Sequence, residues 1–359
     1  MPIFMIIKHV PEDFIVEEIP LKEWNDDGQF SVYKLVKINM NTEHAISIIS
    51  KKFNIPSSLI KYSGTKDRHA KTTQYISIPG KTINSSYANP DRIKIEEENL
   101  MLHHVGFSDE PLSLGTLKGN KFVITVRELS DKEISALKHK QSRLNSGKEK
   151  FMMPNYFDDQ RFSSNNFEIG MNIIKGNYKH AVELICSGSE SFSESSNEYM
   201  QNHANDYIGA IKQLPGKILM LFIHSVQSYL FNEALHDKII DNRDVKNLKS
   251  YEIDYSLGKL VYYNDIKQYE SLESELDLPG FDTHTMNHHL KKHVERLGLT
   301  SRSFIIRALP NLSVEGTKRE CFAQLENLNI EILDDRAIIE FELPKGSYAT
   351  IAIKGLVND

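Results

Sequence analysis

The sequence is poor in the residues and patterns that would place it in several large classes. Two cysteines, Cys186 and Cys321, in 359 residues are too few for a disulfide framework, and each reads as a small buried hydrophobe. The longest apolar runs, such as "LMLFI" at 219–223, fall far short of a membrane span, so no membrane partner is expected. The opening "MPIFMIIKHVPEDF" carries no basic lead and no small-residue cleavage pattern; a signal peptide is not expected, and the protein reads as cytoplasmic. No G-x-x-x-x-G-K-[ST] and no G-x-G-x-x-G occurs, which leaves nucleotide and dinucleotide binding without support. G-x-S-x-G and H-E-x-x-H are absent as well. "HTMNHHLKKHVER" pairs His284 with His288 and His289 with His293 at helical spacing. Neither cysteine is near them, so no metal and no other cofactor is expected. Aspartates and glutamates are plentiful, and no spacing singles out a glycosidase pair.

Charge is present in ordinary amount but unevenly distributed. The net charge is −6, from 43 Lys and Arg against 49 Asp and Glu. Yet residues 61–92 hold six cations against two acids, 138–150 five against one, and 286–307 five against one with three histidines added. Acid concentrates at 12–27, 96–98, 190–206 and 270–282. Segregation of this kind makes either a basic groove on an acidic body, suited to phosphates, or merely solvated helix faces.

Periodicity divides the chain in three. "DFIVEEIP" (13–20) and "QFSVYKLVKI" (29–38) alternate apolar and polar residues around "DDG" (26–28), which predicts a hairpin. "TEHAISIISKKF" (42–53) predicts a helix with Thr42 as N-cap. "TTQYISIPG", "DRIKIE", "LMLHHVGF" and "NKFVITVREL" predict strands, the last with Phe122, Ile124 and Val126 on one face. Ser130 and Glu133 form a capping-box pattern ahead of a basic helix. Residues 154–310 are mainly helical in pattern, with a Ser/Glu-rich stretch at 186–196 expected as a mobile loop. Strand-like patterns return over 336–356. The fold class is α+β: a mixed, mostly antiparallel sheet with flanking helices, interrupted by an inserted, mainly helical domain.

"SGTKDRHAKTTQ" (63–74) is the stretch that carries a chemical question. Asp67 sits among Lys66, Arg68, His69 and Lys71, after a glycine that would allow a tight turn, with threonines and Gln74 able to orient it. It is either a turn residue neutralised by its neighbours or a reactive carboxylate set to act on a polyanion.

Six segments, in order, resemble the TruD-type tRNA pseudouridine synthases: "KHVPEDFIVEE" (8–18), "YSGTKDRHAKTTQ" (62–74), "LGTLKGNKFVITVRE" (114–128), "PNYFDDQRF" (154–162), "HSVQSYLFN" (224–232) and "LPKGSYATIAI" (343–353). The resemblance implies a pseudouridine synthase core over 1–153 and 313–359, with the TRUD domain inserted at 154–312. It implies isomerisation of uridine, at position 13 of the tRNA D-arm, with the base flipped out of its stack. Asp67 corresponds to the nucleophile, Lys8 to the lysine beside it, and Asn120 and Phe122 to the G-N-x-F motif. Tyr348 takes the aromatic position that stacks with Phe122 on the target base. Lys66, Arg68, Lys71 and Arg161 are the expected phosphate contacts, the partner is tRNA with other RNAs open, and the protein is expected to be a monomer. Lys71 stands where the family has valine, and Asp158 and Ser163 replace glycines. Apart from the resemblance, Phe122 and Tyr348 read equally as packing residues, Asn120 as a turn residue and Lys8 as an exposed lysine. A non-catalytic RNA-binding protein and a small-molecule enzyme are the competing readings.

Overall fold

The structure, a computed structural model, describes residues 5–80, 92–95, 99–145, 150–188, 191–246, 248–264, 269, 272 and 274–358. The acidic run 96–98 and parts of two basic stretches, 81–91 and 146–149, therefore lie outside the described residues. The chain forms two compact units. One comprises Met1–Phe151, Gln324–Ala349 and Leu356–Asn358; the other comprises Met152–Ala323 and Thr350–Gly355.

The first unit is built on β1 (Ile6–Ile7), β2 (Phe14–Pro20), β3 (Phe30–Ile38), α1 (Thr42–Phe53), β4 (Lys61–Tyr62), β5 (Lys71–Pro79), β6 (Arg92–Ile95), β7 (Leu100–Ser108), β8 (Leu117–Arg127) and α2 (Asp131–Asn145). The chain leaves it through β9 (Phe151–Pro154). The second unit contains α3 (Asn166–Ile174), α4 (Tyr178–Ser187), α5 (Ser191–Asn202), α6 (Tyr207–Lys212) and α7 (Gly216–Lys246). It continues through β10 (Ser250–Tyr255), β11 (Gly258–Tyr263), β12 (Glu275–Leu278), α8 (His288–Arg296) and β13 (Thr317–Glu320). β14 (Phe322–Ile332), β15 (Arg336–Pro344) and α9 (Ala349–Val357) close the chain.

The sheet of the first unit runs β6–β7–β3–β5–β2–β8–β15–β14. Only β2 and β5 run parallel among these neighbours, with Val16 beside Thr72; the other described pairings are antiparallel. The expected α+β class is therefore observed. The expected hairpin of β2 with β3 is not, because β5 lies between them. The Asp-Asp-Gly turn instead brings Gly28 against the backbone of Ser108, and Asn25 bridges to Phe107.

Alternation decides the sheet's two faces. Phe14, Val16 and Glu18 of β2, Tyr33, Leu35 and Lys37 of β3, and Phe122, Ile124 and Val126 of β8 are all buried. On the opposite face, charges pair across strands: Lys34 with Glu17, and Lys121 with Glu340 at 2.5 Å. Helix α1 packs Ala45, Ile46 and Ile49 on Tyr33, Leu35 and Ile76 of the buried face. Its N-cap is Asn41, whose side chain accepts from His44 N at 2.7 Å, rather than Thr42. The box ahead of α2 forms as expected, Glu133 accepting from Ser130 N at 2.7 Å.

The second unit is less purely helical than its pattern suggests, since β10–β11 form a hairpin and β12 pairs antiparallel with the distant β13 within it. Phe222, Val226, Leu230 and Phe231 give α7 a buried stripe, and Gly170 of α3 meets it so closely that an added Cβ would lie 2.0 Å from Phe222 O. Within the Ser/Glu-rich stretch, residues 189–190 lie outside the described residues, Cys186 and Ser187 end α4, and α5 begins at Ser191, tied by Phe192 against Phe222 and by Ser196 Oγ to Ala210 O at 2.8 Å. The final segment does not continue as strand. Pro344 ends β15, Gly346 turns at φ 83°, and the β-branched run Ala349–Val357 winds into α9 to bury Ile351, Ile353, Leu356 and Val357. No helix among the described residues is long and apolar enough to cross a membrane.

At Gly119 of β8 the neighbouring strand β15 runs so close that an added Cβ would lie 2.2 Å from Leu343 O. Gly119→Ala should therefore lower stability by about 1–3 kcal/mol. Urea unfolding will detect this as a fall in midpoint relative to Gly64→Ala, where the added Cβ meets nothing within 4 Å.

Candidate active site

Loop 63–70 crosses the buried face of the sheet, and three fully buried side chains hold its main chain from below. Lys37 Nζ donates to Met40 O at 2.5 Å, to Asp67 O at 2.9 Å and to Lys66 O at 3.4 Å. Thr42 Oγ1 accepts from Lys66 N at 3.0 Å and donates to Gln74 Oε1 at 2.9 Å. Gln74 Nε2 in turn donates to Gly64 O at 3.2 Å. Register explains why they meet, since Lys37 faces Thr72 and Leu35 faces Gln74 on one side of the sheet. Burial pulls the Lys37 pKa down to about 8, against the opposing pull of the Asp67 carboxylate. Lys37 and Thr42 are absent from the sequence-level site. A lysine in phase with buried Tyr33 and Leu35 was the available signal.

The loop delivers Asp67 to Lys8, whose Nζ donates to Oδ2 at 2.7 Å, with the two side chains 26% and 29% exposed. The same ammonium lies 4.0 Å above the Phe14 ring. Phe14 packs edge-on against Phe122 at 6.2 Å, and Phe122 stacks on Phe341 at 5.5 Å. The pair thus stands on an aromatic floor yet keeps contact with solvent. Lys8 itself has φ 68°, a conformation that side chains other than glycine rarely adopt. What holds it is the next turn. Asp13 accepts from Val10 N at 3.2 Å and takes two bonds, of 2.9 and 2.7 Å, from Arg127 of β8. The Arg127 hydrogen bonds hold the Asp13 carboxyl below the usual carboxylate range.

The other expected site residues fall differently. Lys66 turns inward to Glu18 at 3.0 Å, the two side chains 7% and 1% exposed, so its charge is spent within the sheet and not on phosphate. Lys71 neighbours Ile15 and Ile38, which puts its side chain on the opposite face of the sheet. Arg68 and His69 are exposed beside Asp67. Gly64 needs no special conformation. Asn120 neighbours Glu18 across β2, and its amide oxygen is buried without a hydrogen-bond partner among the described residues. Phe122 is only 7% exposed, so its ring belongs to the floor rather than to an open platform. Tyr348 is half-buried and serves as N-cap of α9, with no strand around it.

Arg161 lies in the second unit, its guanidinium 5.5 Å from the Phe157 ring. There too Asp158, one of the departures from the family pattern, binds Lys354 at 2.8 Å and accepts from Thr350. Helix α8 begins at His288, so His284 is outside it and the expected pairing of His284 with His288 does not form. His288 and His289 each lie 3.6 Å from Asp241 instead. Asp241 and His288 are largely solvated, while burial lowers the His289 pKa.

A family model described as tRNA pseudouridine synthase D (TruD) matches residues 1–199 and 193–356. A Methanococcus maripaludis protein named "Probable tRNA pseudouridine synthase D 1" is 31% identical over 399 aligned positions, covering 97% of this chain and 98% of its own. The "tRNA pseudouridine synthase D" of Aquifex aeolicus is 26% identical over 404 positions, covering 98% of this chain and 97% of its own. A crystal structure of a TruD protein from Methanosarcina mazei shares the fold, with a TM-score of 0.66, 24% identity, and coverage of 99% of this chain and 94% of that one.

The Asp13–Arg127 contact makes a pH-dependent prediction. A carboxylate with a lowered folded pKa contributes stability that is complete above its unfolded pKa and lost as pH falls through the folded value. Arg127→Met should lower stability at neutral pH, where the Asp13 carboxylate loses both its bonds to the guanidinium. In urea titrations from pH 7 downward, the gap between wild type and variant should close below the ordinary carboxylate range. A gap that stays constant into acid would remove the assigned role of Asp13.

Proposed function

The chain belongs to the tRNA pseudouridine synthase D (TruD) family, and on that premise we propose that it isomerises uridine 13 in the D-arm of tRNA, with Asp67 as the nucleophile. The observation that carries this reading is the 2.7 Å approach of Lys8 to Asp67, two residues 59 apart in sequence that meet on an aromatic floor open to solvent. A partly exposed carboxylate fixed by a cation is reachable by a base swung out of its stack.

The reaction conserves atoms. The C1′–N1 bond of the nucleotide breaks, the base turns within the site, and C1′ joins C5. C5 then gives up its proton and N1 gains one. No oxidant or energy source enters the balance. Asp67 supplies the nucleophilic electron pair in this exchange. Lys8 aims the carboxylate and offsets its charge as that charge changes. Asn120 offers its unpaired amide oxygen to the polar edge of the uracil, since a buried acceptor without a partner is costly unless a ligand completes it. Tyr348 is the aromatic we assign to stack on the base, above the floor to which Phe122 contributes. Arg68 and His69, exposed beside Asp67, face the phosphates, and Arg161 makes a further RNA contact from the second unit. We assign the first unit as the catalytic domain and the second as the TRUD domain.

Unmodified tRNA incubated with the enzyme, then mapped for pseudouridine by chemical primer-extension stops, tests the reading. Wild type should give a stop at position 13. Asp67→Asn should lose at least about a thousandfold in rate and Lys8→Met about a hundredfold, both with tRNA affinity retained. Absence of modification by wild type on every tRNA would remove the assigned activity. Modification surviving in Asp67→Asn would remove the role of Asp67. Modification at another uridine would leave the enzyme and move its target.

A further inference from the structure

We infer that Lys37 is a positioning residue for the reaction proposed at Asp67: its ammonium fixes the main chain that carries the carboxylate, and through it the carboxylate's aim. The inference rests on the reading of Asp67 as the reacting group. Lys37 is 0% exposed in the middle of β3. Side chains of this type are almost never fully buried without a charged partner, because removal of the ammonium from water is expensive. The hydrogen bonds described for Lys37 instead run to three main-chain carbonyls, those of Met40, Lys66 and Asp67. Two of these belong to the loop, and one belongs to Asp67 itself.

The alternative uses of such a residue fit less well. An apolar side chain at 37 would continue the buried face begun by Tyr33 and Leu35, so packing alone does not require a lysine. A neutral donor such as glutamine could reach one carbonyl, whereas an ammonium has three protons for three acceptors. Thr42 and Gln74 grip the loop at Gly64 and Lys66 N, upstream of the reactive residue. Lys37 grips Asp67 directly. With Lys8 on the side-chain oxygen and Lys37 on the main-chain oxygen, Asp67 is held at both ends. Preorganisation of this kind keeps a nucleophile within the narrow range of geometry that the transition state needs.

The charges around Lys37 also give it a pH signature. Asp67 of the loop and Glu43 of α1 favour its ammonium, while burial and Lys66 oppose it, leaving the pKa near 8. Below that value the charged form holds the loop; above it the grip weakens. Stability should move the opposite way. A lysine whose folded pKa is depressed costs stability while it is charged, and that cost is relieved as pH rises between the folded and unfolded values.

Single-turnover pseudouridine formation, tRNA binding and amide exchange, each compared between wild type and Lys37→Met, test the inference together. The rate should fall about a hundredfold with the Kd for tRNA unchanged. The wild-type rate should decline as pH rises through about 8, and that decline should be absent from the variant. Amides of residues 66–69 should exchange about tenfold faster in Lys37→Met without RNA. Lys37→Gln, which keeps one donor without the charge, carries the same measurements if the methionine variant does not fold; it too should lack the high-pH decline. A variant rate within about threefold of wild type, or a loss explained wholly by weaker tRNA binding, overturns the positioning role and leaves Asp67 untouched. If wild type modifies no tRNA, the reading of Asp67 fails instead. The exchange measurement still decides whether Lys37 holds the loop, since unchanged exchange at 66–69 overturns it.

Discussion

A loop that lies across the hydrophobic face of a sheet must find partners for main-chain groups that water no longer reaches, and everything proposed at Asp67 depends on how loop 63–70 meets that demand. Gly64 O, Lys66 N, Lys66 O and Asp67 O all point toward the sheet. Gln74, Thr42 and Lys37 answer them from strand or helix positions that are fully buried. The remaining ends are tied by the main chain itself: Gly115 N to Ser63 O at 2.8 Å, and Asn39 N to Ala70 O at 3.1 Å. A segment fixed at so many points has few conformations left. Its carboxylate therefore meets substrate already oriented, which is the condition under which a single charged group can contribute strongly to a barrier.

Charge in this unit is ordered by depth. The innermost cation, Lys37, binds carbonyls; Lys66 neutralises Glu18 within the sheet; Lys8 meets Asp67 where solvent begins; Arg68 and His69 are exposed. Only the outer members of that series can contact phosphate without first breaking an internal pair. A count of basic residues over 61–92 treats all of them alike, and so overstates what a polyanion would feel. On the opposite face of the sheet Lys34 pairs with Glu17 and Lys121 with Glu340 across strands, so these cations too are engaged within the protein.

The sequence made the strands legible because one face of the sheet is apolar, and alternation marked Phe122, Ile124 and Val126 correctly. Pairing was not legible. Alternation is a property of one strand, whereas β5 slips between β2 and β3 through contacts 33 to 56 residues away in the chain. The end of the chain misled for a related reason. Ile351 and Ile353 favour strand locally, but Pro344 and Gly346 stop β15 and the buried stripe of α9 outweighs propensity. Within the site, Asp67, Lys8 and Asn120 were named by their motifs. The motif could not separate Lys66 from Arg68, although one is buried against an acid and the other is exposed. Lys37 carried a signal of its own, a charge in phase with core residues, which no motif search would weigh.

The turn at Lys8 ties these strands of reasoning together. A non-glycine residue at φ 68° costs on the order of 1–2 kcal/mol, and such a cost persists only where the surroundings over-determine it. Here the surroundings are identifiable. Pro11 restricts the chain just after the turn, Asp13 returns to Val10 N, and Arg127 clamps Asp13 to β8. A relaxed extended backbone at Lys8 would carry its side chain away from the Phe14 ring and the loop. The strained one sets the ammonium 4.0 Å over that ring and 2.7 Å from Asp67. Asp67 is thus fixed at its main-chain oxygen by a buried lysine that packing does not require, and at its carboxylate by a lysine whose backbone is held in an unfavourable conformation. Two local costs converging on one residue are hard to explain by folding alone, because either could be relieved by a common substitution. They are explained together if the position of Asp67 is what the unit is built to keep.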